Sequence, residues 1–459
     1  MKHLGIEVPV KNVPELDPGF LPLGKFCTAF LKDAKKPLDI AVERAGGEVA
    51  VYKTFIHGTP DMAEADIYYV DRIIKMLLWM KGGFKVYLSG DQAVYEAMKA
   101  TYCVGGARAF DADFMSNVYE KPFEVVYCDQ VPAEKSNPQA VGRHLGGCRI
   151  GFDAGGSDRK VSAVIDGEPV FSEEVVWFPK TTSDPDYHYE GIVSALKAAA
   201  EHMPRVDAVG VSSAGIYIEN RTMNASLFLK VSKEDFDAKV KDIYIRAIRD
   251  TFGDVPYVVA NDGDVSALAG AMSLEEDNIL GIAMGTSEAV GYVDQSGNIT
   301  GWLNELAFAP VDVSPNAMED EWSGDIGCGV KYFSQDSVIK LAPAAGISLS
   351  ADLSPAEKLK EVQKLMDQGG SPAEAIYRSI GVYLGHSLAL YHHFYGFKHV
   401  LLLGRVMSGR GGDIILDTCK KVLADEYPEV AGLMNPTLPD EKARRVGQSV
   451  AAASLPELR

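Results

Sequence analysis

The 459-residue chain carries 64 acidic and 45 basic side chains, a net charge of −19 with histidine neutral, and 47% apolar residues. That negative excess, with no long basic patch against it, opposes binding to nucleic acid or anionic lipid, and no run of about eighteen apolar residues marks a membrane span. Six scattered cysteines (27, 103, 128, 148, 328 and 419) include no Cys-x-x-Cys pair and Met1 to Pro9 lacks a signal-peptide core, so we expect a reduced, cytoplasmic chain of about three domains or subdomains that binds a small molecule.

Residues 1 to 148 have an α/β character of their own. Apolar spacing predicts strands at 48–56, 84–88 and 123–128 and helices at 63–80 and 92–102, with Gly82-Gly83 stopping the first helix. This order implies a mostly parallel, helix-covered layer. No helix-turn-helix or wing is evident, and acids and bases nearly balance, which argues against reading DNA. The polar stretch Val131 to Pro138, with two prolines, reads as a linker.

From Ile150 the pattern becomes regular. Strands at 150–156, 160–166 and 169–176 form a meander, followed by a helix at 188–202 and a buried strand at 207–215 that runs into a glycine turn. A helix at 236–250 leads to a strand at 257–260 ending in Asn261-Asp262-Gly263-Asp264, where Asp264 is the expected cap of the next helix. The pattern repeats at lower fidelity with strands at 279–285, 289–294 and 399–403. Two meanders followed by crossover helices predict two similar α/β lobes with a cleft between them.

Four segments carry the chemistry: Asp153-Ala-Gly155-Gly156-Ser157 in the first hairpin, Asn261-Asp262 at a strand end, Met284-Gly285-Thr286-Ser287 in the second hairpin, and Leu402 to Gly412. Glycines let a backbone approach an anion, Ser157 adds a hydroxyl beside freed N–H groups, and a carboxylate such as Asp153 can hold magnesium or its waters near phosphates. Each glycine taken singly is more readily an ordinary turn residue, and a plain strand-to-helix turn is the lesser reading of Asn261-Asp262-Gly263. Neither a Gly-x-x-x-x-Gly-Lys-Ser/Thr loop nor a Gly-x-Gly-x-x-Gly fingerprint is present.

Taken in order, the four segments resemble the ROK family of sugar kinases, within the actin–hexokinase superfamily, over residues 149 to 459, including the tail Arg445 to Ser454. The resemblance implies an α/β fold of two actin-like, hexokinase-like (ribonuclease H-like) lobes around an ATP cleft, plus an N-terminal α/β region. The implied domains are 1–148, 149–260 and 261–459, with the C-terminal helix packing back on the first lobe. By the same resemblance Asp262 is the catalytic base, and Asn261 and Glu305 bind the acceptor. Gly155, Gly156, Ser157, Gly285 and Thr286 cradle phosphates, Gly404 and Gly409 (with Gly411 and Gly412) line the adenosine side, and Asp153 serves magnesium through water. A homodimer is expected only because the resemblance implies one.

Three departures bear on the substrate. Where the family has Glu-x-Gly-His, this chain has Glu305-Leu-Ala-Phe308, and phenylalanine can stack on a sugar face but cannot hydrogen-bond a hydroxyl. Cys328 alone stands where the family clusters zinc cysteines, so no structural zinc is expected and Cys328 reads as a small buried hydrophobe. The first hairpin continues Ser157-Asp-Arg159-Lys160, and Glu288 follows the second; Glu288 would repel a triphosphate unless turned away, approached through magnesium or offset by Arg159 and Lys160, and all three read equally as solvated hairpin residues.

Trp302 and Trp322 are candidates for stacking on a sugar, or for packing. His57, His188, His386, His392 and His393 are candidate ligands, with packing the favoured role for the last two, and Glu319-Asp-Glu321 is a candidate cation site or a solvated loop. The reading is an ATP- and Mg2+-dependent kinase for a monosaccharide or polyol hydroxyl. The alternatives are a sugar sensor of the same fold that does not catalyse, a kinase for a non-sugar acceptor, and an ATPase.

Overall fold

The computed structural model describes residues 1–136, 141–369, 371–439 and 447–458. Asn137 and Pro138 of the expected linker, and Arg445 and Val446 of the tail, lie outside the described residues. The chain forms two compact units. The first gathers Met1–Asn137, Ile282–Val290 and Trp302–Leu438, and the second Pro138–Gly281, Gly291–Gly301 and Pro439–Arg459.

The first unit opens with a small hairpin, β1 (Lys2–His3) and β2 (Ile6–Glu7), and helix α1 (Leu23–Leu31). Then come β3 (Lys36–Glu43), β4 (Val49–Ile56), α2 (Ala63–Lys81), β5 (Lys85–Ser89), α3 (Gln92–Thr101), α4 (Ala109–Tyr119) and β6 (Glu124–Tyr127). The sheet order is β4-β3-β5-β6, with β3 antiparallel to both β4 and β5, and β5 parallel to β6. This corrects the mostly parallel layer expected from the sequence. Gly46 and Gly47 take φ of 70° and 69°, a left-handed conformation that suits glycine, and turn β3 straight back onto β4. Lys36, Pro37 and Asp39 hide β3 from a reading of hydrophobic period, as Asp111 and Asp113 hide α4.

Helix α2 is the spine of this unit. Every residue from Tyr69 to Met80 is buried, including Asp71, Arg72 and Lys75. Buried charges must pair. Lys75 Nζ lies 3.0 Å from Asp111 Oδ1 and 3.1 Å from Asp325 Oδ2, Arg72 reaches Asp325 at 2.9 Å, and Arg108 reaches Asp71 at 3.0 Å and Asp325 at 2.7 Å. Asp325 is more than 200 positions downstream, so residues from both parts of the chain share one core.

The second unit runs through β7 (Cys148–Ala154), β8 (Asp158–Ile165), β9 (Glu168–Val176), α5 (Pro185–Ala200) and β10 (Ala208–Ser213). A hairpin of β11 (Ile216–Ile218) and β12 (Arg221–Asn224) follows, then α6 (Lys233–Asp235), α7 (Ile243–Phe252), β13 (Tyr257–Asn261) and α8 (Asp262–Leu274). The sheet order is β13-β10-β7-β8-β9: β7, β8 and β9 form the antiparallel meander, while β7, β10 and β13 run parallel. Strand β10 is buried along its whole length, as a central parallel strand covered on both faces must be. Ile150, Phe152, Val211, Leu196 and Ile248 belong to the core it shares with α5 and α7.

Strands β14 (Ile279–Met284) and β15 (Glu288–Val293) carry the chain into the first unit and back. There follow α9 (Gln335–Leu341), α10 (Pro355–Asp367), α11 (Ser371–Tyr395), β16 (His399–Leu403), α12 (Arg410–Glu426), α13 (Pro428–Ala431) and β17 (Asn435–Thr437), in a sheet ordered β15-β14-β16-β17. Last, α14 (Gln448–Ala453) lies on β7 and β10 of the second unit. It comes so near that a β-carbon at Gly151 would fall 1.6 Å from the Ser449 carbonyl oxygen, and one at Gly210 1.7 Å from that of Ala452. Among the described residues no helix is long and apolar enough to cross a membrane.

Candidate functional site

In the second unit, three parallel strands end side by side. Ser212 of β10 pairs in register with Asp153 of β7 and Ala260 of β13, and Ser213 pairs with Ala154 and Asn261. Side chains at the carboxyl ends of parallel strands are where open α/β sheets bind ligands. Ser212 Oγ donates to Asp153 Oδ1 at 2.9 Å. Gln448 of α14 donates to Ser212 Oγ at 2.9 Å and to the Asp262 carbonyl at 3.1 Å, tying Asp153 and Asp262 into one network. Burial, reinforced by the Asp262 charge, pushes the Asp153 carboxyl up to about 6 against the Ser212 hydrogen bond. Burial likewise raises Asp262, opposed by the Gly263 N–H and by Lys180. The two carboxyls stand at the carboxyl ends of parallel strands, close enough for the charge of Asp262 to raise Asp153.

Asn261 caps α8: its Oδ1 accepts from Gly263 N at 2.7 Å, and its Nδ2 donates to the Gly215 carbonyl at 2.7 Å. One amide hydrogen and one lone pair remain for a ligand. This corrects the expectation that Asp264 is the cap. Asp264 is buried and accepts instead from the backbone N–H of Tyr292 at 3.0 Å, and Asn261, the last residue of β13, caps the helix.

The Gly155-Gly156-Ser157 turn joins β7 to β8. Trp177 fixes it, donating from Nε1 to the Gly155 carbonyl at 2.8 Å and from its backbone N–H to the Ser157 carbonyl at 3.1 Å. A β-carbon at Gly155 would lie 2.6 Å from the Asp158 carbonyl oxygen. Ser157 Oγ donates to Asp158 Oδ2 at 3.0 Å. Arg159 lies over the Trp177 ring and donates to Ser194, and Lys160 faces Asp158 and Glu174. The sequence reading passes over Lys180, in the turn after β9, whose side chain lies across Gly156 and whose charge acts on Asp262. It also passes over Gln448. No motif marks either; only a lysine soon after the meander's last strand, and a polar residue starting the closing helix, signal them.

In the first unit, Gly285 and Gly404 come together at the ends of neighbouring strands β14 and β16. Gly404 has φ of 94°, and a β-carbon there would lie 2.3 Å from the Met284 carbonyl oxygen. Gly285 N donates to the Ser287 carbonyl at 3.0 Å, and Thr286 and Ser287 are exposed at the turn. Gly409, with φ of 66° and open space around it, precedes α12, whereas Gly411 and Gly412 press against Tyr377 and the Met407 carbonyl. Glu288 turns inward and is buried, away from the exposed Thr286-Ser287 turn. Glu305 is half-buried and donates its backbone N–H to the Trp79 carbonyl of α2 at 2.9 Å. Phe308 packs among Trp79, Phe110 and Phe114, at ring separations of 4.4, 5.7 and 6.4 Å.

The remaining candidate histidines have structural partners. His188 bonds backbone carbonyls, His386 bonds Tyr427 and the Asn12 carbonyl, His57 pairs with Asp66, and His393 meets Tyr52. His392 packs edge-on against Phe397. Trp302 packs on Tyr395 beneath Lys81, and Trp322 is exposed. Asp320 accepts from Ser323, and Glu321 pairs with Lys331. Cys328 is buried beside Asp325, and burial pushes its thiol up to about 12. Among the described residues no three His, Cys, Asp or Glu side chains are gathered as metal ligands.

No protein-family profile and no curated protein matches the sequence. Solved structures do. The ROK hexokinase from Thermus thermophilus superposes with a TM-score of 0.52 at 18% identity, covering 67% of this chain and 97% of that one. The fold is that of the ROK proteins. A ROK family transcriptional regulator, a homolog of the E. coli MLC protein, superposes with a TM-score of 0.53 at 16% identity, over 68% of this chain and 79% of that one. The part of this ROK-like chain left uncovered, about a third, fits an N-terminal extension.

Proposed function

We propose that this protein is an ATP-dependent kinase that phosphorylates a hydroxyl of a monosaccharide or polyol. The observation that carries the reading is the joint placement of Asp153 and Asp262 at the ends of β7 and β13, linked through Ser212 and Gln448. Asp262 takes the proton from the acceptor hydroxyl as its oxygen attacks the γ-phosphorus of ATP. The bond from that phosphorus to the β-phosphate oxygen breaks, and ADP leaves with the electron pair. Asn261 and Glu305 orient the acceptor. The N–H groups of Gly155, Gly156, Ser157, Gly285 and Thr286 hold phosphates, and Gly404 and Gly409 leave space on the adenosine side. Asp153 fits a magnesium ion, held directly or through water, which when bound neutralises phosphate charge. In this reading the second unit is the first actin-like lobe with α14 packed back on it, and the second lobe shares the first unit with the N-terminal region.

A second reading, a sugar-binding protein without catalysis, is favoured by the regulator that shares the fold. ADP release with Mg-ATP across hexoses, amino sugars, ketoses and polyols separates the two. Acceptor-dependent ADP that falls by about 10²–10⁴-fold in Asp262→Asn is expected. Acceptor binding with no turnover in either protein would establish the sensor.

A further inference from the structure

Glu288 opens β15 at an inward-facing position, where strand alternation calls for an apolar side chain. It is 4% exposed, and neither carboxylate oxygen has a hydrogen-bond partner among the described residues. The missing side chain of Gly329 makes the room: a β-carbon there would lie 2.3 Å from Glu288 Oε2 and 2.4 Å from the Leu306 carbonyl oxygen. The hydroxyl of Tyr391 is also buried and has no hydrogen-bond partner among the described residues, and the Glu288 charge raises it further. So does Glu305, whose like charge adds to the cost of ionising Glu288. The buried cations of this unit are committed elsewhere, Lys75 to Asp111 and Asp325, Arg72 to Asp71 and Asp325, and Lys331 to Glu321 and Asp336.

A buried carboxylate with no partner is costly, and a like charge beside it adds to the cost. The group that completes such a place is a cation with several N–H donors. An ammonium has three, matching the two orphan oxygens of Glu288 and the hydroxyl oxygen of Tyr391. We propose that Glu288 and Tyr391, beside Glu305, recognise a primary ammonium group of the acceptor, so that the substrates are amino sugars or amino polyols. The proposal rests on the kinase reading for the place of Glu305 in the acceptor site.

Calorimetric titration of the full chain and of Glu288→Gln with glucosamine, N-acetylglucosamine and glucose tests it, with Mg-ATP-dependent ADP release measured on the same samples. The expected result is glucosamine binding at least about tenfold tighter than either neutral sugar, a preference that disappears in Glu288→Gln. Thermal unfolding of the variant confirms that it is folded, and Tyr391→Phe weakens glucosamine without affecting glucose. Equal binding of the three sugars, a preference that survives in Glu288→Gln, or binding of none overturns the proposal. ADP release with a neutral sugar and no amine preference leaves the kinase standing without this selectivity. Amine-selective binding without ADP release removes the kinase and keeps the ammonium site.

Discussion

Lys180 lies across Gly156: a β-carbon at position 156 would meet its Cε at 2.6 Å and its Nζ at 2.8 Å. The glycine thus leaves room for the lysine as well as for an anion, and the ammonium stands over the turn proposed to hold phosphate. Lys180→Met is expected to raise KM for ATP about 10- to 100-fold while kcat changes less, because a charge-assisted bond to bound phosphate is lost. Lys180→Arg keeps most of the affinity, and Gly156→Ala falls between. Steady-state kinetics in ATP decide it, and an unchanged KM in Lys180→Met refutes the role.

Lys75 is fully buried between Asp111 and Asp325. Removing one partner of a buried pair leaves the other charges uncompensated, so Lys75→Met is expected to lower unfolding stability by about 3–5 kcal/mol. Urea denaturation followed by tryptophan fluorescence measures this. A loss below about 1 kcal/mol, the scale of an exposed pair, would mean that the network is not load-sharing.

Gly404 and Gly409 both have positive φ, but only Gly404 is pressed against a neighbouring strand. Gly409→Ala should therefore cost only its backbone conformation (φ 66°, ψ −157°), a region open almost solely to glycine, about 1–3 kcal/mol. Gly404→Ala must also push β16 away from Met284, and its melting temperature should fall further. Thermal unfolding of the two variants side by side checks the order.

Asp312 accepts from the backbone N–H groups of Leu21 and Ser314 and from the Tyr332 hydroxyl, yet burial still pushes its carboxyl up to about 6. The folded state therefore holds this proton more tightly than the unfolded chain does. The contribution to stability is present below the ordinary carboxylate range and is lost as pH rises through about 6. Moving from pH 7 to pH 5 should stabilise the wild type relative to Asp312→Asn by on the order of 1 kcal/mol. Urea midpoints for both proteins at the two pH values test the sign.

The second unit was legible because its elements obey single periods and its turns fall at glycines, so the meander 148–176 and the strand ending at Asn261 stand out. The first unit was less so. Its central strand β3 starts with Lys36 and Pro37, and α2 hides charges in a core that only Asp111 and Asp325, distant in sequence, explain. Asn261, Asp262 and Asp153 belong to motifs that the sequence displays. Lys180 and Gln448 belong to none, because their places beside Gly156 and Ser212 depend on tertiary packing. Glu288 stands out in the sequence as an acid beside the second hairpin turn, but its inward direction follows from the strand phase of β15, which the turn alone does not set.

The return of α14 to β7 and β10, and of Asp325 to α2, makes the two units interleaved along the polypeptide. A fragment ending at residue 438 would strip the cover from Gly151 and Gly210, and a fragment ending at 137 would leave Arg72 and Lys75 without Asp325. Neither unit can be obtained by cutting the gene at one place. Dissection would require circular permutation or splicing of distant segments, and during synthesis the earliest residues must wait for the later ones before their charges are neutralised.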